Sequence, residues 1–304
     1  MLKKFEILDG KICETQEGKG SILAFVNPDE QEKKSLTIGC SIDEHNLTSA
    51  LDPDELARLE FEEEHMALIF KRPKNYSAQD RFLFKVASLG IFLFKDRLII
   101  VSSEEFPTFN GKIFAKVNGI HDFLLKLLYR SIFHYLEHLK VINQISESLE
   151  EKINASMENR YLFSLFTLEK SLVYYLNAIN SNSTMLQKLK NNGNKIGLSE
   201  ENIEFLDDIM IENAQCYRQA EIYSDILSGL MDARASIVSN NLNVLMKTLN
   251  IITIGIMVPT FVVSAFSMNV GIPFQKHPAA FWIVMIIAAI SVGGFFMFWR
   301  HKKW

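Results

Sequence analysis

Carboxylates run out early in this chain. No Asp or Glu follows Asn243, although the 304 residues contain 36 of them. Residues 1–243 therefore hold all 36 acids against 27 Lys and Arg, a net charge of −9. The remainder carries +5, from Lys247, Lys276, Arg300, Lys302 and Lys303. The bland total of −4 thus hides an acidic body joined to an apolar, basic-ended tail, which is not the charge plan of one uniform globule. Cysteine is scarce as well. Cys13, Cys40 and Cys216 are odd in number and far apart, and no Cys-x-x-Cys spacing occurs, so they read as reduced structural thiols in a cytosolic setting. The opening MLKKFEILDG has no apolar core of the kind a secretory signal needs, and none is expected there. The glycine-containing EGKGS of Glu17–Ser21 lacks the P-loop spacing, so no ATP site is expected. Neither an organic cofactor nor a nucleic-acid partner is expected.

Charge of either sign is missing from two long stretches. Thr248–Gln275 is uncharged over 28 positions and Pro278–Trp299 over 22. A helix needs about 20 apolar residues to cross the hydrocarbon of a bilayer. Both runs qualify, so two spanning helices are expected; the competing reading, a buried helix pair in a soluble core, sits poorly with such length free of charge. Lys247 flanks the first run on the same side on which Arg300, Lys302 and Lys303 flank the second, and the connecting loop holds only Lys276. The positive-inside rule then places both termini in the cytoplasm and the loop, roughly Asn269–Ala279, outside. Trp282, Trp299 and Trp304 stand near the ends of the second run, where indoles favour the membrane interface.

The two runs differ in character. FWIVMIIAAISVGGFFMFW is nearly all apolar and suits lipid, whereas the first run carries Asn250, Thr253, Pro259, Thr260, Ser264 and Ser267. Polar groups in hydrocarbon must face protein or water. Asn243, Met246, Asn250, Thr253, Met257, Thr260, Ser264 and Ser267 recur every three or four residues and so share one helical face. Spacing alone does not choose between a pore lining and helix–helix packing, for which small and hydroxyl residues also serve. A single hairpin encloses no channel, so a pore requires several copies around an axis.

Ahead of the tail, residues 1–115 read as an α/β domain. ILAFVN, ALIFKR, RFLFKV, IFLF and RLIIVSS have strand character. SIDEHNLTSAL and DPDELARLEFEEE have helix character, the second opened by Asp52-Pro53. The acidic run Glu62–Glu64 reads as a solvated face. Residues 116–198 read as a helical segment broken at NNGNKIGLSEEN, Asn191–Asn202. Ser199 caps what reads as one helix to Ser267, a stalk continuing into a first span at about 246–267, on the order of 100 Å long. An outer loop (268–279) and a second span with a basic end (280–304) follow. The fold expected is thus an α+β cytosolic domain, sandwich-like, with a long stalk helix and a C-terminal two-helix transmembrane hairpin.

Asp232–Val270, DARASIVSNNLNVLMKTLNIITIGIMVPTFVVSAFSMNV, resembles the signature region of the CorA family of divalent-cation transporters. That family's first span ends in Tyr-Gly-Met-Asn, preceded by a Pro-Thr and, before the membrane, an Asn. Here those positions read Phe266-Ser267-Met268-Asn269, Pro259-Thr260 and Asn243. His45–Pro73, Ser88–Glu104 and the terminal RHKKW are similar to other parts of the family, so the likeness covers most of the chain. It implies a homo-oligomer, a pentamer, in the cell (inner) membrane, passing Mg2+ down the membrane potential and regulated by Mg2+ on the cytosolic side. It also implies an outer mouth at Ser267, Met268 and Asn269 and a pore lined by Asn243, Met246, Leu249, Thr253, Met257, Thr260 and Ser264, with Met246, Leu249 and Met257 at the hydrophobic constriction. Asp208, beside Asp207, falls where the family places a regulatory carboxylate between subunits, and Asp232 matches an acid near the inner funnel.

Magnesium gives up its water reluctantly, so neutral oxygen acceptors suit its capture better than a carboxylate cage. A ring of Asn269 amides at a helix end would serve, with Gly271 and Pro273 turning the loop away. Two features depart from the family: Ser267 replaces its glycine, and the outer loop holds Lys276 and His277 but no acid. Transport of zinc, cobalt or nickel by the same fold, and a membrane-anchored interaction protein that does not conduct, are the alternatives. His134-Tyr-Leu-Glu137-His138 matches the H-x-x-E-H pattern of inverted zinc proteases, but two ordinary helix histidines are the better reading and no enzyme is expected.

Overall fold

Residues 1–15, 20–77, 82–105, 109, 111–155, 159–271, 273 and 276–301 are described in this computed structural model. They form two compact units, Met1–Met231 and Asp232–Trp304.

The first unit opens with a hairpin. β1 (Leu2–Leu8) and β2 (Lys11–Glu14) are joined by Asp9-Gly10, both at positive φ (50° and 77°). Such a turn matches the twist of antiparallel strands, and Asp-Gly adopts it with little strain. β3 (Ile22–Val26), β4 (Arg58–Phe61), β5 (Met66–Pro73), β6 (Val86–Leu93) and β7 (Leu98–Ser102) complete a sheet of order β2-β1-β3-β7-β6-β5-β4. Every pairing is antiparallel except β3 with β7.

Both faces of the sheet are covered, which is why its central strands are apolar runs rather than alternating ones. Leu68, Phe70, Ile91, Leu98 and Ile100 belong to one buried cluster, and Ala67, Ile69, Phe92, Ile99 and Val101 to another. After α1 (Glu30–Lys34), which buries no residue, the second cluster is closed by a π-type turn at Ser35–Gly39 and by α2 (Glu44–Leu51) with the residues before it, through Leu36, Ile42, Leu47 and Ala50. Here α2 comes so close to β6 that a Cβ on Gly90 would stand 2.3 Å from the Ala50 Cβ. The first cluster is closed by three long helices, α3 (Ile120–Ala155), α4 (Asn159–Asn191) and the N-terminal part of α6 (Glu200–Phe266), with the short α5 (Gly193–Ile196) between the last two. The Oγ of Ser199 accepts from the Asn202 amide at 3.2 Å, an N-cap for the 67-residue α6.

Two expected elements are corrected. Asp52–Glu64 is not a helix. The Asp52 carboxylate accepts from the Asp54 amide at 2.9 Å to make a turn, and Arg58–Phe61 then becomes the edge strand β4 with Leu59 wholly buried. Pairing with β5 overrides the helix propensity of Glu, Leu, Ala and Arg. RFLFKV is not a strand: Phe82–Lys85 lies outside regular structure, only Val86 enters β6, and Arg81 is outside the described residues. The reason lies in the Phe84 amide, which donates to the Ser171 Oγ of α4 at 3.0 Å instead of to a strand.

The second unit contains the C-terminal part of α6 and α7 (Ala280–His301). Both helices are long and apolar enough to cross a membrane. Among its described residues only Ala288 is buried, and Phe261 and Met297 are 75% and 79% exposed. The helices of a soluble core would be buried; these need lipid or further protein to cover them.

Candidate functional site

The polar face of α6 can now be followed residue by residue. Asn243, Met246, Leu249, Asn250, Thr253, Met257, Thr260, Ser264 and Ser267 lie along this helix and its end, and all are exposed in the single chain. Hydroxyls along α6 bond back to their own helix. Thr253 donates to the Leu249 carbonyl at 2.8 Å, Thr260 to Ile256 at 2.7 Å, and Ser267 to Val263 at 2.8 Å. A hydroxyl has one hydrogen and two lone pairs. With the hydrogen committed to the backbone, each of these oxygens can only accept from what lies beyond the helix. Pro259 adds a further acceptor: it has no N–H, so the Gly255 carbonyl lacks its helical donor.

The helix ends at Phe266. The Ser267 amide closes the last turn on the Ser264 carbonyl at 3.1 Å, and Met268 and Asn269 follow, both exposed. The last carbonyls of a helix carry partial negative charge. A mouth built there attracts cations without a carboxylate, which fits a tail that has none. A hydrated cation turns the hydrogens of its water outward, so a face of oxygen acceptors is matched to it and a face of donors is not. In the connecting loop Gly271, Pro273 and Lys276 are described, and the His277 ring nitrogen accepts from the Ala279 amide at 3.2 Å. Trp282 and Trp299 stand in the first and last turns of α7; Trp304, Lys302 and Lys303 lie outside the described residues.

Of the acids picked out in the sequence, Asp207 and Asp208 are neighbours near the start of α6 and Asp232 lies several turns further on. Asp207 is paired with Lys190 of α4 at 2.6 Å. Asp208 and Asp232 are exposed and make no ion pair among the described residues. Among those residues no group of three or more His, Cys, Asp or Glu side chains could hold a metal ion. This extends to the H-x-x-E-H pattern. His134 and His138 share a helix face with ring centres 4.4 Å apart, but Glu137 is paired with Arg130 at 3.0 Å, and His138 Nδ1 lies 2.6 Å from the Tyr175 hydroxyl. Burial holds both histidines neutral, pushing His134 down to about 3 and His138 to about 4. Of the EGKGS stretch, residues 17–19 lie outside the described residues.

Sequence reasoning passed over a polar group inside the first unit: Lys71 and Arg72 on β5, 4% and 3% exposed, with Ser88 on β6 and Asn182 on α4. A Lys-Arg pair at the end of an apolar run signals a strand end in solvent, and nothing in the local sequence announces its burial.

The profile of the CorA-like Mg2+ transporter proteins matches residues 18–302 of this chain. The chain belongs to the CorA family. A curated relative, the cobalt/magnesium transport protein CorA of Methanocaldococcus jannaschii, is 24% identical over 293 residues, covering 91% of this chain and 89% of its own. The protein of the same description from Thermotoga maritima is 26% identical over 189 residues, 60% of this chain and 52% of its own. Among solved structures, the complete CorA magnesium transporter of M. jannaschii aligns with a TM-score of 0.83 at 23% identity, over 98% of this chain and 96% of that one. At that identity the likeness establishes the fold: the soluble α/β domain, the long helix and the C-terminal helix. CorA proteins are membrane transporters of divalent cations, not enzymes.

Proposed function

We propose that this chain forms a homopentameric pore that passes hydrated divalent cations, Mg2+ foremost, passively down the membrane potential. The reading rests on one observation above the others: α6 exposes a file of oxygen acceptors whose hydrogens are already spent on the helix backbone. Around a symmetry axis that file becomes successive rings. Asn269, with Met268 and Ser267, forms the outer mouth and holds the ion through its water. Thr260, Ser264 and Thr253 continue the polar path. Met257, Leu249 and Met246 form a constriction that closes by dewetting, and Asn243 rings the inner mouth. A doubly charged ion gains about 4–5 kcal/mol per 100 mV, so the potential alone drives entry.

In this arrangement residues 1–115 and 116–198 are cytosolic, residues 199–267 carry the stalk into the membrane, 268–279 face outward, and 280–304 return to a basic cytosolic end. Both termini are cytoplasmic, as the basic flanks favour. Asp208 takes a regulatory cation between neighbouring copies and closes the pore when occupied. Asp207, tied to Lys190, has a supporting part, and Asp232 gathers exiting cations at the funnel.

Cobalt appears beside magnesium in the descriptions of the relatives, and Ser267 adds a hydroxyl to the outer mouth. Cobalt, nickel and zinc are therefore the ions to set against magnesium. The test is reconstitution of the full chain in liposomes with an imposed inside-negative potential and an internal Mg2+ dye. Potential-dependent Mg2+ entry, competed by external Co2+, is expected. A well-assembled oligomer that passes neither ion would make the chain a non-conducting membrane anchor.

A further inference from the structure

A cavity of about 330 Å3 lies in the first unit between the Pro53–Leu56 turn, the ends of β5 and β6, and α4. Lys71 is part of its wall although that side chain is only 4% exposed. The ammonium donates to the Pro53 carbonyl at 2.5 Å and to the Ser88 hydroxyl at 2.9 Å, and Ser88 in turn donates to the Asp52 carbonyl. Those two acceptors are neutral. An ammonium has three N–H donors, and no carboxylate among the described residues comes within ion-pair distance of this one. A buried charge without a counter-ion is costly. Burial pushes the Lys71 amine down to about 8, against the opposing pull of Asp52, Asp54 and Glu55.

The rest of the wall supplies what an anion requires. Lys85 and Lys170, both exposed, also line the cavity, with the Lys170 ammonium 5.8 Å from the centre of the Tyr174 ring. Two acids face it, but Glu55 is held by Arg58 at 2.8 Å, which leaves Asp54 alone against three lysines. Leu83, Val86 and Ala178 give an apolar floor. We infer that this cavity binds a small organic anion, a carboxylate or a phosphate on a compact apolar body, whose charged group accepts the remaining N–H of Lys71. Lys85 and Lys170 flank the opening and draw the anion in. The site stands in the first unit and is independent of the pore reading.

The test uses the full chain in detergent micelles, in magnesium-free buffer at pH 8, titrated calorimetrically with benzoate, phenyl phosphate and inorganic phosphate in turn. Saturable binding of benzoate or of phenyl phosphate is expected, with inorganic phosphate weaker because it has no apolar body. Benzoate binding with phenyl phosphate silent assigns a carboxylate ligand, and the reverse assigns a phosphate. Because the bound anion restores the ammonium, binding at pH 8 takes up a fraction of a proton, read from the heats in two buffers of different ionisation enthalpy. Lys71→Met removes that uptake and weakens binding about tenfold or more. Lys85→Gln and Lys170→Gln change exposed side chains and weaken it several-fold, which keeps the test open if Lys71→Met fails to fold. No saturable binding of any of the three probes overturns the inference. So does binding without proton uptake that Lys85→Gln and Lys170→Gln leave unchanged.

Discussion

Asn182 of α4 does the work of a missing strand. β4 covers β5 only as far as Ile69, which pairs with Arg58, so the outward N–H and C=O of Lys71 have no strand to meet. The Asn182 amide takes both: its oxygen accepts from the Lys71 N–H at 2.8 Å and its nitrogen donates to the Lys71 carbonyl at 2.8 Å. Asn182 is fully buried. In Asn182→Ala both backbone groups stay buried without partners, at about 1–3 kcal/mol each. The gross loss is about 2–6 kcal/mol, and a water entering the space left by the amide draws it toward the lower half of that range. A loss of about 3 kcal/mol corresponds to roughly a hundredfold faster opening at this edge. Hydrogen exchange by mass spectrometry on the full chain in micelles reads this at the peptide containing Lys71, and the thermal midpoint reads the global effect. An exchange rate at Lys71 within a factor of two of the wild type, with an unchanged midpoint, would refute the reasoning.

Three further outcomes follow from the same structure. Gly90→Ala drives a Cβ to 2.3 Å from that of Ala50 and is expected to destabilise the first unit by about 1–3 kcal/mol, with Ala50→Gly restoring part of the loss; a thermal-midpoint series over the two single variants and the double variant checks this. His138 is held neutral at about 4 in the fold, below its ordinary value near 6.5. The unfolded chain therefore binds the proton first on acidification: the contribution of His138 is whole above about pH 6.5 and is lost as pH falls toward 4, on the order of 3 kcal/mol. His138→Gln should flatten the acid limb of a plot of thermal midpoint against pH. Asp208→Asn is expected to abolish inhibition of Mg2+ influx by internal Mg2+ in liposomes while leaving influx at low internal Mg2+ intact; inhibition unchanged from the wild type would remove Asp208 from regulation.

How much of this could be read from the sequence depended on which force decided each element. The two charge-free runs were legible as candidate spans because length and absence of charge are properties of the local sequence, and both runs lie in helices long and apolar enough to cross a membrane. Ser199 announced the start of α6 through its capping chemistry. The buried strands β3, β5, β6 and β7 were visible as apolar runs. The edge strands β2 and β4, and β1 beside β2, were not, because their residues are mostly exposed or half-buried and form no apolar run. Asp9-Gly10 between alternating residues was the one local signal for the hairpin, and it was overlooked. Asp52–Glu64 misled because its propensity is helical and its fate was set by β5. On the site, the spacing placed the residues from Asn243 to Ser267 on one face, and the structure added that the hydroxyls of Thr253, Thr260 and Ser267 are turned into acceptors. The Lys71 cavity was illegible, since a buried ammonium exists only where turn, sheet and helix meet.

The central claim is that oxygen acceptors at the end of α6 admit a divalent ion with its water still bound, and Asn269 is the side chain on which it turns. Initial Mg2+ influx into liposomes under a fixed potential, measured for wild type and Asn269→Ala at equal amounts of intact oligomer, tests it most directly. A fall of at least tenfold in the variant is the expected result. Mg2+ influx through Asn269→Ala at the wild-type rate would contradict it.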